Sequence, residues 1–530
     1  MKKIFRYIES LPISPIVWLF SAYCIFTIRM VIEAIGERQG ELADYVLVVL
    51  HGPMAFLGAG LSMALVIYAF TRNSLRKILN VSLYGMALVL LVPIIDFVVS
   101  GGKGNFHSSY LIERLPVLGR DFITFFGPGL RSGVTIGART QFALLLLFAA
   151  LYVYYVTKKT WKAVLAILVG YCVVFLWTVL PSIVTILILL PQSPLRTTSV
   201  EFARALVQVR QVFAIPFTLN DVYKQFDIQI GLVIYPIVVL QGAALLWLGA
   251  RKKTVQFLRS IRPSRLLTHY ALFAAGTVIG LAMTRTVWDF SFFGVVMVLD
   301  LLIVITATWV ASLAINDSND LIADAIVHKN RPLITKQLTV AQYQTIFVFA
   351  VIVAVAGAAL VGYVVTMLTI AILICGYVYS APPFRLKRYP VFATGLMSLG
   401  LLFLALMGFY LFSPSQSFFE FPSAFIYLIV LVPTLVLPIK DLHDVAGDVK
   451  DGVYTLPTIF GEKRARIIIA ALTAISFFLF PLFLHAADLV VTATVFALLS
   501  ILLISNRKVN ELYLMAVYGF FLIVVAVTVL

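Results

Sequence analysis

Charge is scarce in this chain. Only 12% of its 530 residues are Asp, Glu, Lys or Arg, while 62% are hydrophobic. So small a charged fraction excludes a soluble globular protein, which keeps its core in water only under a polar surface. Cysteine is scarce too: Cys24, Cys172 and Cys375 are odd in number, far apart and set in apolar segments. Without metal-ligand spacing they read as packed free thiols, not as a disulfide framework or a zinc site. No basic, aromatic-interleaved segment stands outside the apolar runs, so the net charge of +16 is no nucleic-acid footprint. The glycine-rich run Gly127–Gly133 has neither dinucleotide nor P-loop spacing and reads as a loop.

What fills the chain instead is long apolar runs. Stretches of about 20 residues with little or no charge recur, each long enough to cross a hydrocarbon core as a helix. They predict an all-α integral membrane protein of about fifteen transmembrane helices, about six in residues 1–254 and about nine in 255–530. A basic, polar stretch from Arg251-Lys252-Lys253 to Arg265 separates the two regions. Lys2, Lys3 and Arg6 before an apolar run imitate a signal peptide. The run ends at Arg29 and Glu33 without a small-residue cleavage site, so it is read as a retained first span.

Charge orients the spans. With the N-terminus in the cytoplasm, the cytoplasmic segments of the second region collect bases such as Arg262, Arg331, Lys336, Arg385 and Lys463, whereas Arg285 stands nearly alone in the short loops opposite. That is the positive-inside bias of a multi-pass membrane protein. The expected setting is a prokaryotic cell membrane. In the first region two long loops, near 101–140 and 191–228, also carry bases. Within them Phe106–Phe126 and Val200–Phe217 predict amphipathic helices on the membrane surface.

One acidic pattern occurs twice. The first copy is Asn316, Asp317, Asp320, Asp324; the second is Lys440, Asp441, Asp444, Asp448. In both, carboxylates recur at i, i+3 and i+7, which at about 100° per residue places all three on one helical face. Three clustered carboxylates repel one another and raise their own pKa values; a bound cation removes that penalty. Both trios fall on the cytoplasmic side, which predicts that they converge on a divalent metal and its anionic ligand. Between them lies Tyr379-Ser380-Ala381-Pro382-Pro383-Phe384-Arg385-Leu386-Lys387-Arg388. Its proline pair ends a span and its bases follow at the same membrane face. Lys329-Asn330-Arg331-Pro332 adds cations after the first trio. Bases beside carboxylates suit a polyanionic ligand, with metal bridging carboxylate to phosphate and Lys and Arg on the remaining oxygens.

These motifs, in this order and spacing, resemble those of the UbiA-type intramembrane prenyltransferase superfamily. The resemblance includes Arg262-Pro263 before the first trio and Gly452, Thr455-Leu456-Pro457 and Gly461 after the second, and it covers roughly residues 255–530. Residues 1–254 lie outside it, as an N-terminal polytopic region of unknown role. The resemblance implies a bundle of nine helices around a central cavity that opens to lipid, with the motifs capping its cytoplasmic end. It implies Mg²⁺-dependent transfer of a prenyl group from a prenyl diphosphate to a lipid or aromatic acceptor, in quinone-type or ether-lipid biosynthesis. In that scheme Asp317, Asp320 and Asp324 hold one Mg²⁺ and Asp441, Asp444 and Asp448 a second. Asn316, Lys329, Arg331, Arg385, Lys387, Arg388 and Lys440 face the substrate, and Tyr379 lines the pocket.

Two other functions compete. One is phosphoribosyl transfer to a prenyl phosphate. The other is a cation transporter or channel, which predicts acids spread through the membrane depth instead of gathered at one face. The N-terminal region is a candidate for binding a protein partner. His328 and His443 read as neighbours of the acidic pocket, and His51 as a hydrogen-bonded structural histidine. Asp96 and Asp300 are intramembrane acids and so functional candidates.

Overall fold

A computed structural model describes residues 2–36, 46–102, 110–113, 115–127, 134–189, 222–284, 291–413, 417–506 and 511–529. Their regular elements are helices. Thirteen of these are long and apolar enough to cross a membrane, and the apolar helices Leu489–Ser505 and Leu512–Thr528 are shorter. Side chains such as Leu502, Ile523 and Val527 are exposed, as a lipid-facing surface requires. The expected surface helix Val200–Phe217, Arg285 and most of the Gly127–Gly133 loop lie outside the described residues. Of Phe106–Phe126, the helix Leu115–Ile123 is described.

Prolines set the departures from the expected spans. The run near 162–190 is two helices, Thr160–Thr178 and Leu180–Leu189, parted at Val179 just before Pro181. The run after 422 is a helix Ser423–Val436, a 3₁₀ turn Leu437–Lys440 that contains Pro438, and a second helix Asp441–Asp451. Proline lacks the N–H that would continue the α-helical ladder, so the chain tightens and re-aims there.

The chain divides into two compact units, residues 1–254 with 289–300, and residues 255–288 with 301–530. In the first unit the amphipathic helix Lys2–Ser10 buries Phe5 and Ile8. Phe5 packs edge-on to Tyr152, whose hydroxyl donates to Glu9 Oε1 at 2.8 Å. Asp96, a functional candidate by its burial, is accounted for structurally. It accepts from Thr135 Oγ1 and from the Gly137 N–H at 2.7 Å, at the N-terminal end of the helix Ile136–Thr157. A carboxylate there satisfies otherwise orphaned amides and faces the positive end of the helix dipole.

In the second unit the helices Pro263–Thr284 and Pro390–Tyr410 pack backbone to backbone. A Cβ on Gly276 would lie 1.8 Å from the Ala405 carbonyl oxygen, and one on Gly408 2.1 Å from that of Phe273. Only glycine permits that approach, the small-residue packing typical of helices in lipid.

Candidate functional site

The first acidic motif does not present one continuous helical face. The helix Phe292–Asn319 stops, Asp320 takes φ −105° and ψ 18°, and a short helix Leu321–Val327 begins. Ser318 Oγ donates to the Ala314 carbonyl and Asn319 Nδ2 to that of Ile315, at 2.7 and 2.8 Å. Such side-chain bonds to the preceding turn compete with helix continuation. The break splits the trio. Asp317 and Asp324 are joined through Arg331, whose Nη1 donates to Asp317 Oδ1 at 3.2 Å and to Asp324 Oδ2. Asp320 faces the other way and pairs with Lys387 and, at 3.4 Å, with Arg385 Nη2.

The second motif keeps its helix. Asp441, Asp444 and Asp448 lie on Asp441–Asp451, which ends at Gly452 in the left-handed conformation, φ 66°. Glycine takes that conformation at no Cβ cost, and the Val453 amide donates to the Asp448 carbonyl at 2.9 Å. This helix packs directly on Leu321–Val327. Gly447 is the point of approach: a Cβ there would stand 2.9 Å from Val327 Cγ2 and 3.1 Å from the Ala323 carbonyl oxygen. The two motifs are therefore neighbours. His328 Nε2 lies 3.4 Å from Asp444 Oδ1, linking the end of the first to the middle of the second.

The middle loop ties the motifs together. Ser380 Oγ donates to Asn316 Oδ1 at 3.3 Å. Lys440 Nζ donates to the Tyr379 hydroxyl at 2.9 Å and stands 5.3 Å from the centre of that ring. So placed, the ammonium sits beyond the hydroxyl at the ring edge. It engages Tyr379 as a hydrogen-bond acceptor and not through the ring face. Arg385, with its backbone at φ 43°, sends Nη2 to the Asn319 carbonyl at 3.0 Å and to Asp451 Oδ2 at 2.5 Å. The Tyr454 amide donates to the Arg388 carbonyl at 3.0 Å, closing the loop onto the second motif.

Of the expected site residues, Lys329 and Arg388 are exposed, with no ion pair among the described residues. Three contributors were missed as site residues. Arg262 Nη2 reaches Asp317 Oδ1 at 3.1 Å. Asp451 takes Arg385, and Met397 Sδ lies 3.3 Å from Lys440 Nζ. Asp451 was legible: three residues past Asp448, it continues the same helical face. Arg262 and Met397 meet the motifs only by folding.

Burial pushes the Asp324 carboxyl above its usual range, against the pull of Arg331. Burial also pulls the Lys387 ammonium down to about 8, with Asp451 opposing and Lys440 adding to the fall.

The donor chemistry fits a hard divalent ion, because the acids of the second motif offer carboxylate oxygens and Asp317 Oδ2 is buried with no hydrogen-bond partner among the described residues. Among the described residues, however, no three His, Cys, Asp or Glu side chains converge as a metal cage. The physical reason is that the first trio is neutralised by arginine and lysine, so these acids are held in place by bases.

The second unit thus brings two aspartate motifs side by side and laces them with bases from the loop between them. Residues 271–514 match the model of the UbiA prenyltransferase family. A protein of Oryza sativa subsp. japonica named "Probable homogentisate phytyltransferase 2, chloroplastic" is 35% identical over 163 residues, 29% of this chain and 42% of that protein. The chain thus spans less than half the length of that relative. A UbiA homologue from Archaeoglobus fulgidus, solved with DMAPP and Mg²⁺, is similar at 21% identity and a TM-score of 0.39, covering 51% of this chain and 96% of its own. A UbiA homologue from Aeropyrum pernix K1 is similar at 18% identity and a TM-score of 0.38, covering 48% and 97%.

Proposed function

We propose that residues 255–530 transfer a prenyl group from a prenyl diphosphate to a hydrophobic acceptor within the membrane. The observation that carries this reading is the packing of the two aspartate helices at Gly447, with Arg331, Arg385, Lys387 and Lys440 arrayed around them. Breaking an allylic carbon–oxygen bond leaves a carbocation and concentrates negative charge on the departing diphosphate. Preplaced bases in a water-poor site stabilise that developing charge. Arg331, Arg385 and Lys387, now turned to aspartates, exchange those partners for diphosphate oxygens. Asp317 and Asp324 on one side and Asp441, Asp444 and Asp448 on the other would hold Mg²⁺, and Asp320 would join the first pair only once Lys387 and Arg385 leave it for the diphosphate. Bound there, Mg²⁺ supplies Lewis-acid neutralisation of the diphosphate. Lys440, held by Tyr379, orients from the membrane side, and Asn316, held by Ser380, keeps the first motif in register with the loop.

The rice relative's name points to an aromatic ring as acceptor, and we favour that over an ether-lipid alcohol. The acids of this site gather at neighbouring helix ends, which suits an enzyme better than an ion path through the membrane. We place the site on the Lys/Arg-rich face. The rice relative is named for the chloroplast, so it lends no support to a prokaryotic cell membrane or to a cytoplasmic side.

The test is to incubate the purified chain with labelled prenyl diphosphates, homogentisate and a membrane lipid extract, and to identify labelled products by mass spectrometry. A product that forms with Mg²⁺, vanishes with EDTA and falls about 100-fold or more in Asp441→Asn or Asp444→Asn is expected. Absence of any product, or a rate untouched by both substitutions, overturns the reading.

A further inference from the structure

The first unit contains a polar cluster that the transferase reading does not use. His51 is 1% exposed. Its Nδ1 lies 2.8 Å from Asp227 Oδ1 and its Nε2 2.7 Å from the Tyr110 hydroxyl, with the two rings stacked at 14°. The segment that carries Tyr110 is pinned. The Leu111 amide donates to the Thr178 carbonyl at 3.0 Å, and Ser182 Oγ donates to the Leu111 carbonyl and accepts from the Glu113 amide.

His51 and Tyr110 line a cavity of about 110 Å³ together with Gln141. Gln141 is 7% exposed. It has no hydrogen bond among the described residues, so its amide is left to whatever fills the cavity. The other walls are flat or soft: Phe56, Phe142 and Trp177, with Met63 and Met86.

The chemistry of the walls selects the ligand. An anionic head group needs an uncommitted cation, but Arg29 is paired with Glu33 at 2.7 Å and lies over the Phe56 ring at 4.3 Å. The groups left to a ligand are therefore neutral. Gln141 offers both a donor and an acceptor. Asp227 draws the His51 Nδ1 proton, so a neutral His51 accepts the Tyr110 proton at Nε2 and leaves the phenol oxygen as an acceptor. A charged His51 donates to that oxygen and frees the Tyr110 O–H as a donor. Aromatic and methionine walls favour a ring.

We infer that the N-terminal unit binds a neutral, oxygen-substituted six-membered ring, a quinone or phenol, with Gln141 and the Tyr110–His51–Asp227 chain reading its oxygens. This site is independent of the aspartate motifs and stands or falls apart from the transferase reading.

The experiment uses the full chain in detergent, titrated by equilibrium dialysis with a decyl-substituted 1,4-benzoquinone, its hydroquinone, and dodecane as the apolar control. Saturable binding of either ring compound is expected, weakened about tenfold or more by Gln141→Leu, with the melting temperature of that variant unchanged or raised. Ala59→Leu, which fills the cavity, is expected to remove binding and serves if Gln141→Leu fails to fold. Asp444→Asn is expected to leave ring binding unchanged while abolishing prenyl transfer. No saturable binding of either ring compound, dodecane binding as tightly as the rings, or both cavity variants binding like the wild type overturns the inference.

Discussion

The two units handle buried charge in opposite ways. In the second, each acid of the first motif meets at least one base, and the bases arrive from several segments: Arg262 from before the first helix of the unit, Arg331 from the turn after the motif, Arg385 and Lys387 from the middle loop. In the first, charge is sunk into apolar packing as closed pairs, Arg29 with Glu33 and Asp227 with His51. The 289–300 segment grouped with it even holds Asp300 at 0% exposure, with neither carboxyl oxygen hydrogen-bonded among the described residues. A lattice of exchangeable ion pairs at helix ends suits a ligand that displaces the bases. Closed pairs around a cavity suit a neutral ligand that leaves them intact.

The contrast breaks most readily at Arg331. Removing it strands Asp324, whose side chain is 6% exposed, and leaves Asp317, 2% exposed, to Arg262 alone. Arg331→Ala is expected to cost about 3 kcal/mol, read as a lower denaturant midpoint in detergent. A midpoint equal to wild type would mean that the ion-pair lattice is not what holds the motif. Asp300 sharpens the contrast from the other side. With no hydrogen bond among the described residues to lose, Asp300→Leu is expected to raise stability by about 1–2 kcal/mol. A drop in the same melt would mean that this carboxyl is held in a way its contacts do not show.

The smallest effect concerns pH. Lys387 sits near 8, so it is charged below that pH and loses its proton above it. In metal-free protein the affinity for a non-hydrolysable prenyl diphosphate analogue is expected to fall several-fold as pH rises past about 8. Lys387→Arg, charged throughout, should flatten that limb, and an identical pH profile in the variant would remove Lys387 from the binding set.

Much of this was legible before folding. Hydropathy located the apolar runs, and the spacing of Asp441, Asp444 and Asp448 predicted the helix they occupy. The same spacing misled for Asp317, Asp320 and Asp324. Periodicity assumes an unbroken helix, and the side-chain bonds of Ser318 and Asn319 to the preceding turn compete with that continuity. His51 showed no partner at recognisable spacing because its partners stand 176 and 59 positions away.

From its sequence alone this protein was committed to lipid, to long helices and to two acidic motifs on one membrane side, because apolar run length and short-range periodicity act locally along a chain. Which base holds which acid, where the first motif bends, and that a lone histidine, a tyrosine and an aspartate close around a cavity were decided only in three dimensions. Contacts between residues far apart in the chain leave no periodic trace, and their energies arise only once packing has brought the groups within hydrogen-bond reach.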